Sequence, residues 1–130
     1  MAENGDPPSA ADVLDICFST QTNYEFCLPK YHHRFRVPLG MGRLRICRDG
    51  GTLYTWARPR EPLVATPTDK CWADDKGPLW IVDVVLAPNV LPRRAIRAMN
   101  DDLVKAGIAE RGERYLFWRT GRKRYGFAHV

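Results

Sequence analysis

This sequence has few of the residues on which small proteins usually hang chemistry. It holds three histidines in 130 residues, His32, His33 and His129, so there is little imidazole for base catalysis or metal ligation. Four cysteines, Cys17, Cys27, Cys47 and Cys71, lie ten, twenty and twenty-four residues apart. None forms a C-x-x-C pair, which removes the usual signature of a structural zinc site, and no metal is expected. Sequence alone leaves a disulfide open. Without an export signal the expectation is a reduced, cytoplasmic protein whose cysteines are small buried hydrophobes. The longest apolar run, Leu79–Leu86, is too short to span a bilayer and contains Asp83. The opening MAENGDPPSA is polar and acidic, unlike a signal or transit peptide. Residues 1–8 are expected to be disordered, because Gly5, Pro7 and Pro8 offer nothing to bury. No repeat or low-complexity tract divides residues 9–130, so a single domain is expected there.

Charge of one sign is also missing in places. Residues 1–29 carry five acids and no Lys or Arg, whereas 30–60 carry eight basic residues against Asp49 alone. Residues 61–92 hold two basic and five acidic side chains, and 93–130 hold ten and four. The net charge of +5 therefore divides as −5, +7, −3 and +6 along the chain. If the two basic blocks fold together they make one positive face, suited to an acidic protein, a nucleic acid or a phosphorylated ligand.

What is present reads as alternating strands and helices. Ser9 followed by Asp12 resembles a capping box that opens a helix over about 10–20, with Val13, Ile16, Cys17 and Thr20 on one face. Across 22–39 the pattern is mixed and broken by Pro29 and Pro38. From Arg43 the period becomes two: Leu44 and Ile46 alternate with Arg43, Arg45 and Cys47. Asp49-Gly50-Gly51 then supplies a turn, and 53–57 return as the second strand of a hairpin. Residues 58–78 carry Pro59, Pro62, Pro67 and Pro78 and read mostly as loop, with room for a short helix within 61–72. The run Leu79–Leu86 is nearly all apolar and β-branched, the pattern of a central strand covered on both faces. Pro92 suits a first helical turn, with Ile96, Met99, Leu103 and Val104 as the buried stripe and Gly107 as the stop. Two further strands follow over 114–119 and 125–130. The order gives an α+β plan, a mostly antiparallel central sheet with flanking helices.

Three stretches, RICRDGGTLYTWA (45–57), LWIVDVVLAP (79–88) and RYLFWRTGRKRYGF (114–127), resemble the toxin-activating lysine acyltransferases, bacterial proteins with a fold similar to the GNAT acetyltransferases. In that family a strand–turn–strand ends in Ser-Trp-Ala and precedes a strand with Trp-x-x-Asp-x-x-Ala-Pro. Here these become Thr55-Trp56-Ala57 and Trp80-Ile81-Val82-Asp83, with Ala87-Pro88 one residue late. The resemblance covers about residues 11–128 and implies a GNAT-like domain that moves an acyl group from acyl carrier protein to a protein lysine. It implies Asp83 as the functional carboxylate. A lone carboxylate in an apolar strand is also independently costly unless hydrogen-bonded or functional. The family's catalytic histidine belongs in a Ser-x-x-His pattern, but residues 19–24 read Ser-Thr-Gln-Thr-Asn-Tyr. His32 and His33 are the nearest imidazoles, and either serves as base only if that region is rebuilt. Related acyltransferases can dimerise, which makes a homodimer compatible with the resemblance.

Coenzyme A is not an expected cofactor, because residues 87–94, APNVLPRR, lack the glycines that cradle a pyrophosphate on a helix N-terminus. The donor implied is instead the acidic acyl carrier protein. Trp56, Trp72, Trp80 and Trp118 are candidates to line an acyl groove, Trp56 and Trp80 foremost, and Arg119 and Arg122 are candidate substrate contacts. Two rival readings remain. One is a catalytically inactive binding module or inhibitor that meets an acidic partner protein through its basic face. The other is nucleic-acid binding through Arg119-Thr120-Gly121-Arg122-Lys123-Arg124-Tyr125, a basic hairpin with flanking aromatics.

Overall fold

The computed structural model describes residues 29–47, 52–61, 69–86, 90–119 and 124–130, with side chains for 35–47, 52–61, 71–86, 90–118 and 125–130. The expected disordered tail at 1–8, the helix over 10–20, Cys17 and Cys27 lie outside the described residues. Within them the chain runs α1 (Pro29–Gly40), β1 (Leu44–Cys47), β2 (Thr52–Ala57), α2 (Asp69–Ala73), β3 (Leu79–Leu86), α3 (Pro92–Lys105), β4 (Arg114–Arg119) and β5 (Arg124–His129). The five strands lie side by side in sequence order. Neighbours are antiparallel except β3 and β4, which are parallel. The expected α+β plan, a mostly antiparallel sheet with flanking helices, is the one observed. A parallel pair cannot be closed by a tight turn, and α3 supplies the crossover.

The sheet carries a different hydrophobic cluster on each face. On one face α3 packs Met99 and Leu103 against Tyr54, Leu79, Ile81 and Tyr115. On the other, α1 sets Phe35 against Leu44 and Leu53, and α2 sets Cys71 and Trp72 against Ala57. Fully burying side chains of this size contributes about 1.5–3 kcal/mol each. Cys47 and Cys71 are buried, one on each face.

Two local readings are corrected. Residues 29–40 form a helix despite both prolines. Pro29 occupies the first position, where no N–H is needed, and Pro38 falls two residues from the end, where little helix remains to break. Ile96 is not part of the buried stripe of α3; it is exposed, and Ala95, Met99, Asp102 and Leu103 face inward. The rotation brings a carboxylate into the core, and the residues opposite it explain why. Gly107 stops α3 as expected, with a positive φ of 72° and its N–H donated to the Val104 carbonyl. Gly77 answers a different need. A Cβ there would lie 1.8 Å from the Pro59 carbonyl oxygen, so only glycine lets these two loops touch.

Asp102 is the buried polar centre of the fold. Its two carboxylate oxygens accept from Arg45 Nε and Nη2, both at 3.0 Å, and Oδ2 also accepts from the Tyr54 hydroxyl at 2.6 Å. The planar guanidinium matches the carboxylate with two parallel bonds, the strongest geometry for such a pair. One contact set therefore ties α3 to β1 and β2. Arg58, just past β2, does the same on the other side. It donates to the Ile108 carbonyl at 2.7 Å and to Glu113 at 2.8 Å, holding the segment between α3 and β4.

Removing the acid leaves a guanidinium and a hydroxyl without their acceptor. Asp102→Ala is expected to lower stability by about 3 kcal/mol in urea denaturation, and a loss below about 1 kcal/mol would contradict the assignment. Burial, and then the bond to Asp102, push the Tyr54 phenol well above its ordinary value. In the unfolded chain it ionises near pH ~10. The resulting stability is complete below about pH 10 and falls as pH rises from there, by up to about 1.4 kcal/mol per pH unit. Tyr115, raised by burial, adds a slope of the same sign. Tyr54→Phe is therefore expected to flatten the decline between about pH 10 and about pH 11.5, and an unchanged slope would refute it.

Candidate functional site

The irregular part of the sheet is its middle. Along β2, Thr52 to Thr55 pair with Leu86 to Asp83 in order, and then Trp56 pairs with Ile81 and Ala57 with Trp80. Val82 is passed over. This bulge on β3 sends two consecutive side chains to one face: Val82 packs beside Ala57, and Asp83 meets Thr55. Thr55 is fully buried. Its Oγ1 accepts the Asp83 backbone N–H at 3.0 Å and lies 3.4 Å from Asp83 Oδ2, as donor to the carboxylate. Asp83 itself is half-buried. Its carboxylate is thus held against the sheet at the bulge, on the face that α1 covers.

On its other side β3 soon loses its neighbour. The parallel ladder with β4 has two pairs, Leu79 with Tyr115 and Trp80 with Leu116, while β4 and β5 stay paired through Arg119 and Arg124. Beyond Trp80 the described residues of β4, through Arg119, are no longer paired with β3. The burial follows: Leu79, Trp80 and Ile81 are buried, and Val82 to Leu86 are only half-buried. The expectation of a strand covered on both faces holds for the first three residues. Two buried indole N–H groups, those of Trp56 and Trp80, have no acceptor. Such orphans are uncommon, and each costs about 1–3 kcal/mol.

The other candidates are spread more widely. Trp56 and Trp80 do not share a groove: Trp56 lies on the α3 face, under the Arg43 guanidinium at 4.2 Å, and Trp80 on the opposite face, edge-on to Tyr125 at 5.7 Å. Trp72 is core beside Cys71. Trp118 is paired with Tyr125 across β4 and β5. The backbone of His32 and His33 lies in α1, a helix where a rebuilt loop had been the condition for their use; their side chains lie outside the described residues, as do those of Arg119 and Arg122. His129 sits at the end of β5, edge-on to Phe127. Among the described residues no group of acids, histidines and cysteines could hold a metal ion, and no helix is long and apolar enough to cross a membrane.

The basic blocks also divide. Arg43 donates to the Trp72 and Asp74 carbonyls, Arg45 to Asp102 and Arg58 to Glu113. Three of the eight cations of 30–60 are thus engaged internally. The strands carrying the two blocks stand at opposite edges of the sheet, with β3 between them, so these strands do not merge into one positive face. Comparison with protein-family models, curated proteins and solved structures finds no match to this chain.

The Thr55 anchor was legible only in part, since a buried threonine opposite an aspartate leaves no pattern in a single chain. Thr55→Val keeps the shape and deletes the hydroxyl, and is expected to cost about 1–3 kcal/mol. Most of that cost should persist in an Asp83→Ala background, because the shorter bond is to the backbone N–H. A cost that vanishes in that background would show that the carboxylate alone is anchored.

Proposed function

We propose that this chain is an acyl-transfer domain that moves an acyl group from acyl carrier protein to a lysine of a protein acceptor. The observation that carries the reading is the parting of β3 and β4 immediately after Trp80, beside a bulge that presents Asp83. A place where two strands cease to pair can admit an extended, amide-containing arm, such as the one that carries an acyl thioester. The orphaned indole N–H of Trp80 stands where the strands part, and supplies a donor for such a ligand. In the transfer the lysine ammonium first gives up a proton. Its amine then attacks the thioester carbonyl, the amide C–N bond forms, the C–S bond breaks, and the thiolate takes up a proton. Asp83 orients and charge-stabilises the base, which is His32 or His33 of α1, the helix on the Asp83 face. A cytoplasmic setting, where an acyl carrier donor is met, belongs to the same proposal.

The test uses the full chain with octanoyl- and palmitoyl-acyl carrier protein and a lysine-rich peptide as acceptor, read by intact mass and thiol release. Peptide acylation is expected, reduced at least about 100-fold by Asp83→Asn and by alanine at one of the two histidines, with melting unchanged. No acylation and no thiol release by the parent chain overturns the enzymatic reading. Retained, salt-sensitive binding of the carrier protein would then leave a catalytically silent module with an acidic partner.

A further inference from the structure

The face of β4 and β5 that carries Tyr125 and Phe127 borders Trp80, but neither ring takes part in the reaction proposed above. Alternation along the strands puts Arg114, Leu116 and Trp118 of β4 and Tyr125, Phe127 and His129 of β5 on that side, paired as Arg114 with His129, Leu116 with Phe127 and Trp118 with Tyr125. The helices of this side, α1 and α2, pack over β1 and β2. Tyr125 and Phe127 are left 55% and 59% exposed, the two most exposed aromatic side chains among the described residues. Both rings are held in place. Tyr125 stands edge-on to Trp80, with ring centres 5.7 Å apart. Phe127 stands edge-on to His129 at 6.0 Å, and the Arg114 guanidinium lies 5.8 Å from its centre.

Two fixed, exposed rings two residues apart on one strand sit about 7 Å from each other. That is about twice the 3.4 Å spacing of stacked bases, so each ring can take one unstacked base of an extended strand. The surrounding charge fits a polyanion. Arg114 is exposed and has no carboxylate partner among the described residues. We propose that this face binds single-stranded nucleic acid, with bases stacked on Tyr125 and Phe127 and the phosphate backbone drawn by Arg114. Stacking on aromatic platforms tolerates any base, so binding is expected with little sequence preference. A duplex, with its bases already stacked, offers the rings no partner and is expected to bind more weakly.

Fluorescence anisotropy of the full chain with labelled dT20, a 20-base-pair duplex and heparin distinguishes the possibilities. Binding to dT20 is expected to be tighter than to the duplex and to weaken as salt rises. Tyr125→Ala and Phe127→Ala are each expected to weaken dT20 binding about tenfold, leaving heparin binding and the melting temperature unchanged. Arg114→Ala is expected to weaken both polyanions. Equal affinity for dT20 and heparin, or aromatic variants that bind dT20 like the parent, overturns the proposal. So does loss of dT20 binding as protein concentration rises, which would assign the face to a second copy of the chain. Acyl transfer plays no part in these readouts, so either proposal can fail alone.

Discussion

The rest of this structure depends on one strand having two unlike neighbours. β3 is paired antiparallel to β2 from Trp80 to Leu86, with Val82 passed over, and parallel to β4 over two residues. The antiparallel side is continuous because a bulge at Val82 absorbs the extra residue. The parallel side requires a crossover, which is α3, and α3 can bury only the stripe that its packing against β1 and β2 permits. The end of the β3–β4 ladder at Trp80 and the half-burial of the second part of β3 both follow from that geometry.

The same geometry settles where charge is placed. With α3 lying across β1 and β2, Asp102 reaches the interior and is tolerated there because Arg45 and Tyr54 answer both of its oxygens. Arg43 and Arg58 are likewise turned to carbonyls and to Glu113. A basic balance in the sequence is therefore a poor guide to a basic surface. Part of the charge of 30–60 is structural, and the exposed cations include Arg93, Arg94, Arg97 and Lys105 of α3 as well as Arg114 of β4.

Much of the fold could be read from spacing alone. The hairpin of β1 and β2, the apolar strand 79–86, the helix opened by Pro92 and stopped by Gly107, and the final two strands each carry a local signal that survives in the structure. α1 was hidden because its two prolines fall at positions where a helix tolerates them. The inward turn of Asp102 was hidden because its reason lies 57 residues away, in Arg45. The candidate site was legible as one residue, Asp83, whose charge is out of place in an apolar run. Its partner Thr55, the bulge and the parting of β3 from β4 are products of register. The two tryptophans that looked alike in sequence fall on opposite faces, because Trp56 pairs with Ile81 while Trp80 pairs with the next residue, Ala57.

The proposed function therefore rests on the end of β3–β4 pairing after Trp80. Hydrogen exchange measured residue by residue along β3 tests this most directly. Backbone amides of 81–86 directed toward β4 are expected to exchange at least about tenfold faster than those directed toward β2, while the amides of Leu79 and Trp80 are protected. Uniform protection through Leu86 would mean that the two parallel strands remain zipped, and no opening would exist for a ligand to enter.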